Sequence, residues 1–481
     1  MPKFKPVSNI NMNPTQIIIL GGTGDLSQRK LLPALLDLYV REMLPTDFHI
    51  VGLARSKRTD QEYQSFVQET ISKHDGEHNH PSELITSFCE HVSYVSGSFD
   101  DANTYDQLND SLAAYDNQMS TSSNRLFYLA VPPNYYEQIF TDLKQSNAAT
   151  EGEGSWTHIL VEKPFGHNLE TAQKLDAQLS KLYREDQIFR IDHYLAKEAV
   201  QNILSFRFAN TLLRAAWNKD SIESVHIQMS ETIDVGERAG FYEGLGALRD
   251  VGQNHLLQLV ALVAMRQPEA FATEAIRYER CRALAALKPI DTTALAASVA
   301  RAQYEGYKAD DTIPHDSETE TYFELKVEVD LPEWDGVPFY IQAGKALDKA
   351  YVAIQIKFKD VATGMFETKS CHTTGNEVTL TISPEQTIAI VLDAKSPGLG
   401  FQLETRELAF ECNKGTDEID NSYEKVLYDA IAGDQMLFTS TEEVLAAWNF
   451  ITPILESWHT LPLHTYAKGS EGPEHTIIPN T

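Results

Sequence analysis

"IIILGGTGDLSQRKLLPALLDLY", residues 17–39, reads as a strand, a tight turn and a helix in immediate succession. Gly21 and Gly24 flank Gly22 and Thr23 in the turn. Glycines at such a place let the backbone approach a pyrophosphate, while the helix N-terminus offers free N–H groups and positive partial charge. The spacing is GxxG rather than GxGxxG, so a plain strand-to-helix connection reads the same way. The surrounding segments decide between the two.

Outward from the turn, short β-branched runs alternate with helical patterns: "FHIVGLA" (48–54), "HVSYVSG" (91–97), "RLFYLAV" (125–131) and "THILVEK" (157–163). Such alternation predicts a parallel sheet with right-handed crossovers, a Rossmann-type dinucleotide-binding domain over residues 1–188. The second strand ends in "ARSKR", with Arg55, Ser56, Lys57 and Arg58, where an NAD enzyme usually presents an acid to the ribose 2′-hydroxyl. A basic run there favours a 2′-phosphate, hence NADP. "VEKPFG" puts Lys163 at the carboxyl end of a strand, the sheet edge where ligands gather, and Pro164 biases it toward an extended conformation.

The remaining 189–481 form a second, larger domain. Longer alternating segments such as "SVHIQMSE" (224–231), "TYFELKVEVDL" (321–331), "VAIQIKFKDV" (352–361), "EVTLTISPE" (377–385) and "TIAIVLDAK" (387–395) predict a mostly antiparallel sheet. The apolar helix at 251–265 is expected to cover one face. The fold class is therefore α/β followed by α+β.

Lys and Arg number 40 against 69 Asp and Glu, a formal net charge of -29. That excludes a broad basic field for nucleic acid or anionic membrane, so any anionic ligand must be held by a local basic cluster. "RIDHYLAKE" (190–198) supplies one, with Arg190, His193 and Lys197 beside Asp192. If 192–208 is helical, His193 and Lys197 share a face.

Cys89, Cys281, Cys371 and Cys412 are dispersed and form no CxxC pair, which fits buried thiols in a reducing cytosol. The polar N-terminus has no signal-peptide core, and the apolar stretch at 255–265 is too short to span a bilayer, so a cytoplasmic protein is expected. Three histidines in "SKHDGEHNHPSE" (72–83) show no repeating ligand spacing; the segment reads as solvated loop and no metal site is expected. Asp250 and His255 in "RDVGQNHLLQLVALVAM", Glu231 at a strand end, and Lys345 and Lys349 in "AGKALDK" read in isolation as a core histidine and surface charges.

With "GGTGDL", "VEKPFG", "RIDHYLAKE" and "QNH" in this order, together with "NRLFYLAVPP" (124–133), "AAWNKD" (215–220) and "VPFYIQAGKAL" (337–347), the chain resembles the glucose-6-phosphate dehydrogenase family from about residue 15 to about residue 470. The resemblance implies oxidation of C1 of β-D-glucose 6-phosphate to 6-phosphoglucono-δ-lactone with NADP, the first step of the oxidative pentose phosphate pathway, with NAD possible as a second coenzyme. By the same resemblance His255 is the base and Asp192 its carboxylate support. His193, Tyr194 and Lys197 bind the phosphate, and Lys163 serves both sugar and coenzyme. Glu231, Asp250 and Lys345 bind the sugar, while Gly21, Thr23, Gly24, Asp25 and Arg55 contact the coenzyme. A homodimer through the large sheet is also implied.

Two departures stand out. After "GKAL" the chain is one residue shorter than the family spacing, which leaves Lys349 without an assigned role, and Gln342 stands where an arginine is common. The tail ends soon after "GSEGPE", so the second NADP site formed by a longer C-terminus in animal members is expected to be missing. Two other readings stay open: a sugar or inositol dehydrogenase that also pairs a Rossmann domain with an "EKP" lysine, and a non-catalytic NADP sensor.

Overall fold

A computed structural model describes residues 13–74, 80–360, 375–400, 402–412, 422–474 and 477–479. Cys371, the centre of the histidine-bearing 72–83 segment, the first twelve residues and parts of the tail lie outside them. The chain divides into two compact units. The first comprises Met1–Gly166, Glu170–Ala196 and Ile419–Thr441; the second comprises His167–Leu169, Lys197–Glu418 and Glu442–Thr481. The boundary read from the sequence at 188/189 thus falls inside the first unit, to which a late segment of the chain returns.

Among the described residues the first unit is built on a seven-stranded sheet. Strands β1 (Thr15–Leu20), β2 (Phe48–Ala54), β3 (Val92–Ser96), β4 (Asn124–Leu129), β5 (Thr157–Val161) and β6 (Ile188–Ile191) pair in parallel in the order 3-2-1-4-5-6. This is the dinucleotide-binding order, with its switch point between β1 and β4. Every residue of β1, β4 and β5 is buried, as expected for strands covered on both faces. Ile18, Val51, Phe127 and Ile159, at 0% exposure, lie at the centre of the core between sheet and helices.

The seventh strand of this sheet comes from far along the chain. Phe438–Thr439 pairs antiparallel with β6, Phe438 opposite Ile191 and Thr439 opposite Arg190. Arg190 is 4% exposed and holds this edge: its guanidinium donates to Glu185 at 2.8 Å, to Asp176 at 3.3 Å and to the Thr441 hydroxyl at 2.5 Å. Its charge is thus spent on structure, and it does not join the basic cluster.

Among the described residues the second unit carries a nine-stranded sheet. Its members are β7 (Ile222–Ser230), β8 (Val299–Tyr304), β9 (Tyr322–Val327), β10 (Phe339–Gly344), β11 (Tyr351–Phe358), β12 (Glu377–Ser383), β13 (Thr387–Lys395), β14 (Leu403–Glu411) and, past the returning β15 (Phe438–Thr439), β16 (Leu463–Tyr466). The order is 14-13-12-11-7-10-9-8-16. Pairing is antiparallel except for β7 with β10 and β8 with β16. The apolar stretch at 251–265 does cover this sheet. It runs as a widened π-type segment, Leu248–Leu256, into the fully buried helix Leu257–Ala264. At Gly252 a Cβ would come within 2.8 Å of the Phe323 ring on β9, so only glycine allows so close an approach.

Candidate active site

In the first unit the candidate residues gather at the carboxyl ends of the parallel strands. Gly21 follows β1 with φ +94°, and a Cβ there would stand 2.3 Å from the Ala130 carbonyl oxygen past β4. Only glycine fits both constraints. The Ser27 hydroxyl and the Gly24 N–H both donate to the Gly21 carbonyl at 2.8 Å, which folds the turn onto the start of the helix at Asp25. Thr23 and Gly24 are half-buried in this turn, and exposed Asp25 pairs with Arg29 at 3.7 Å. Negative charge in a first helical turn suits the macrodipole. Arg55, Ser56 and Lys57 are exposed just beyond β2, with Asp100 among the electrostatic neighbours of Arg55.

The ends of β5 and β6 supply the other first-unit candidates. Glu162 and Lys163 leave β5, and Asp192, His193 and Tyr194 leave β6. The condition under which His193 and Lys197 would share a helix face, a helix from 192, is not met. The Asp192 carboxylate accepts from Tyr194 N–H at 3.1 Å and its carbonyl from Leu195 N–H at 3.0 Å, so 192–197 is a turn and the helix is Glu198–Phe208. An aspartate at the head of a turn captures backbone N–H groups that a helix would otherwise use.

Glu162 was not singled out from the sequence. Tyr128 donates to its carboxylate at 2.5 Å, Tyr423 donates to it as well, and Tyr136 donates to its carbonyl at 3.0 Å. Burial pushes its carboxyl above the usual range, with Asp192 adding to the rise, while Tyr128, Lys163 and Tyr423 pull it back.

In the second unit the parallel register of β7 and β10 sets Ser230 opposite Gly344, so the next residue of each strand emerges beside the other. Those residues are Glu231 and Lys345. Glu231 N–H donates to the Gly344 carbonyl at 2.9 Å, and the two side chains form an ion pair. The Lys345 ammonium also lies 3.4 Å from Asp250 and 5.5 Å from the centre of the Tyr242 ring. Asp250 and His255 share the π-type segment, His255 at 1% exposure. Charges that look like surface charges one at a time thus form one carboxylate–ammonium–carboxylate group. Lys197 is the N-cap residue of Glu198–Phe208, its carbonyl accepting from Val200 and Gln201 at 3.0 Å. Lys349 stands apart from this group, its ammonium 5.3 Å from the Tyr351 ring.

Beneath that group, Glu320 accepts from Leu248 N–H at 3.0 Å and anchors the start of the π-type segment. Its carboxyl is 3% exposed and burial pushes it up to about 7. It too escaped the sequence reading, since a lone glutamate before a strand carries no periodic signal.

Comparison with known proteins gives a consistent result. Residues 18–202 match the family model "Glucose-6-phosphate dehydrogenase, NAD binding domain" and 204–477 match "Glucose-6-phosphate dehydrogenase, C-terminal domain". The chain is 37% identical to the cytoplasmic glucose-6-phosphate 1-dehydrogenase 6 of Arabidopsis thaliana over 95% of its own length and 89% of that protein's. It is 36% identical to the glucose-6-phosphate 1-dehydrogenase of Chlamydia muridarum, covering 96% and 94%. A solved glucose-6-phosphate dehydrogenase in complex with its substrate glucose 6-phosphate superposes with a TM-score of 0.88 at 34% identity, covering 96% of each chain.

Proposed function

Because this chain belongs to the glucose-6-phosphate dehydrogenase family, we propose the following assignment of its chemistry to its residues. The activity is the family's: a glucose-6-phosphate 1-dehydrogenase oxidises C1 of the sugar phosphate and passes hydride to a nicotinamide coenzyme. The observation that carries the residue assignment is the parallel pairing of β7 and β10, which delivers Glu231 and Lys345 together and within reach of Asp250. Two carboxylates held by one ammonium offer acceptors and a donor to sugar hydroxyls.

As hydride leaves C1, the C1 hydroxyl must lose its proton, and His255 takes it as a neutral imidazole, with Asp192 as the supporting carboxylate. His193, Tyr194 and Lys197 hold the phosphate; Lys163 serves sugar and coenzyme. The nicotinamide, when bound, supplies the hydride acceptor. The turn at Gly21, Thr23, Gly24 and Asp25 fits a pyrophosphate because backbone approaches it without a Cβ and a helix begins there. NADP is the coenzyme, on the strength of the basic run after β2, of which Arg55 and Lys57 are exposed, where an acid would mark NAD.

A homodimer through the large sheet is supported by β14, which leaves Leu408 and Phe410 at 62% and 51% exposure. A cytoplasmic location is supported by the plant relative's name. Initial rates at saturating glucose 6-phosphate with NADP and with NAD, read at 340 nm, test the assignment. A higher kcat/KM with NADP is expected; a preference for NAD would remove the 2′-phosphate reading of Arg55.

A further inference from the structure

Tyr423 belongs to the late segment that rejoins the first unit, and its side chain reaches two neighbours at once. Its ring stacks on the His193 imidazole, centroids 6.2 Å apart and planes within 14°. Its hydroxyl donates to Glu162, the residue before Lys163, which Tyr128 holds from the other side at 2.5 Å. His193 is further flanked by Tyr194 at 5.1 Å. An imidazole backed by a ring in offset-stacking range has fewer orientations to lose on meeting an anion.

We infer that Tyr423 is a positioning residue for phosphate recognition, its ring fixing the His193 imidazole and its hydroxyl fixing the ring through Glu162. The inference rests on the assignment of His193 to the substrate phosphate. It also gives a reason for the chain to return to the first sheet after completing most of the second.

Steady-state kinetics of the parent, Tyr423→Leu and Tyr423→Phe, with glucose 6-phosphate and with free glucose, test it. Tyr423→Leu is expected to raise KM for glucose 6-phosphate roughly 3- to 10-fold, the scale of a lost aromatic pair, with kcat nearly unchanged. Tyr423→Phe keeps the ring and is expected to recover most of that loss, and kcat/KM for glucose should stay put. In a His193→Gln background the Tyr423→Leu effect should vanish, because neighbours acting through one another are not additive. Should Tyr423→Leu fail to fold, Tyr423→Met, which fills space without a ring face, takes its place. Equal losses for both sugars, or full additivity with His193→Gln, would overturn the inference. A parent with equal kcat/KM for the two sugars would remove the functional assignment as well; a discriminating parent whose Tyr423 variants discriminate as well overturns this inference alone.

Discussion

His255 sits at 1% exposure on the segment that also carries Asp250. His255→Asn keeps a polar side chain of similar bulk but removes the proton acceptor. It is predicted to lower kcat by roughly 10²- to 10⁴-fold, with a smaller change in KM. A variant keeping most of its kcat would exclude His255 as the base. Arg55 is exposed, so its worth depends on the ligand it meets. Arg55→Ala is predicted to cost about 1.5 to 3 kcal/mol toward NADP, the size of a hydrogen bond to a charged group, and almost nothing toward NAD. KM measured with each coenzyme separates the cases, and equal losses would move Arg55 away from the 2′-phosphate.

At the scale of elements, Glu320 links the chain before β9 to the start of the π-type segment that carries Asp250 and His255. Its carboxyl is raised from 4.5 to about 7 by burial, against the pull of Leu248 N–H, Arg249 and Arg301. The folded form therefore holds a proton that the unfolded chain releases near 4.5. Stability from this group is complete below about 4.5 and lost as pH rises through about 7. Relative to Glu320→Gln, the parent is predicted to lose on the order of 3 kcal/mol over that window and nothing further above it. Denaturant titrations at pH 5.5 and 7.5, between which about 2 kcal/mol of that loss falls, check this; parallel pH profiles for the two proteins would refute it.

The elements also show what the residues announced in advance. β2 matches its reading at both ends, because "FHIVGLA" is a short, largely apolar run that a basic, polar segment follows. β15 went unread, since two residues carry no period and its partner β6 lies about half the chain away in sequence. The turn at Asp192 is not legible in the sequence, because the spacing of His193 and Lys197 says nothing about which backbone N–H a neighbouring carboxylate captures. Likewise Glu231 and Lys345 were each visible, but their ion pair depends on the parallel register of β7 and β10. Tyr423 had no sequence signal, because only the return of its segment brings it to His193.

For the whole molecule, a net charge of -29 disfavours close approach of two copies unless apolar surface offsets it. Leu408 and Phe410 on β14 provide such surface, and the double change Leu408→Glu with Phe410→Glu is predicted to yield monomers in sedimentation velocity. An unchanged sedimentation coefficient, with the parent a dimer, would place the interface elsewhere.

The most direct test compares kcat/KM for glucose 6-phosphate and for glucose, with NADP, in the parent and in Lys197→Gln. The parent is predicted to turn over the phosphorylated sugar far better. Lys197→Gln should lose about 1.5 to 3 kcal/mol, roughly 10- to 150-fold, for glucose 6-phosphate alone, because a charge-assisted bond to the phosphate goes and glucose has no phosphate to lose. The ratio between the sugars should therefore collapse. A parent that reduces no NADP with glucose 6-phosphate, or that treats both sugars alike, would contradict the assigned reaction.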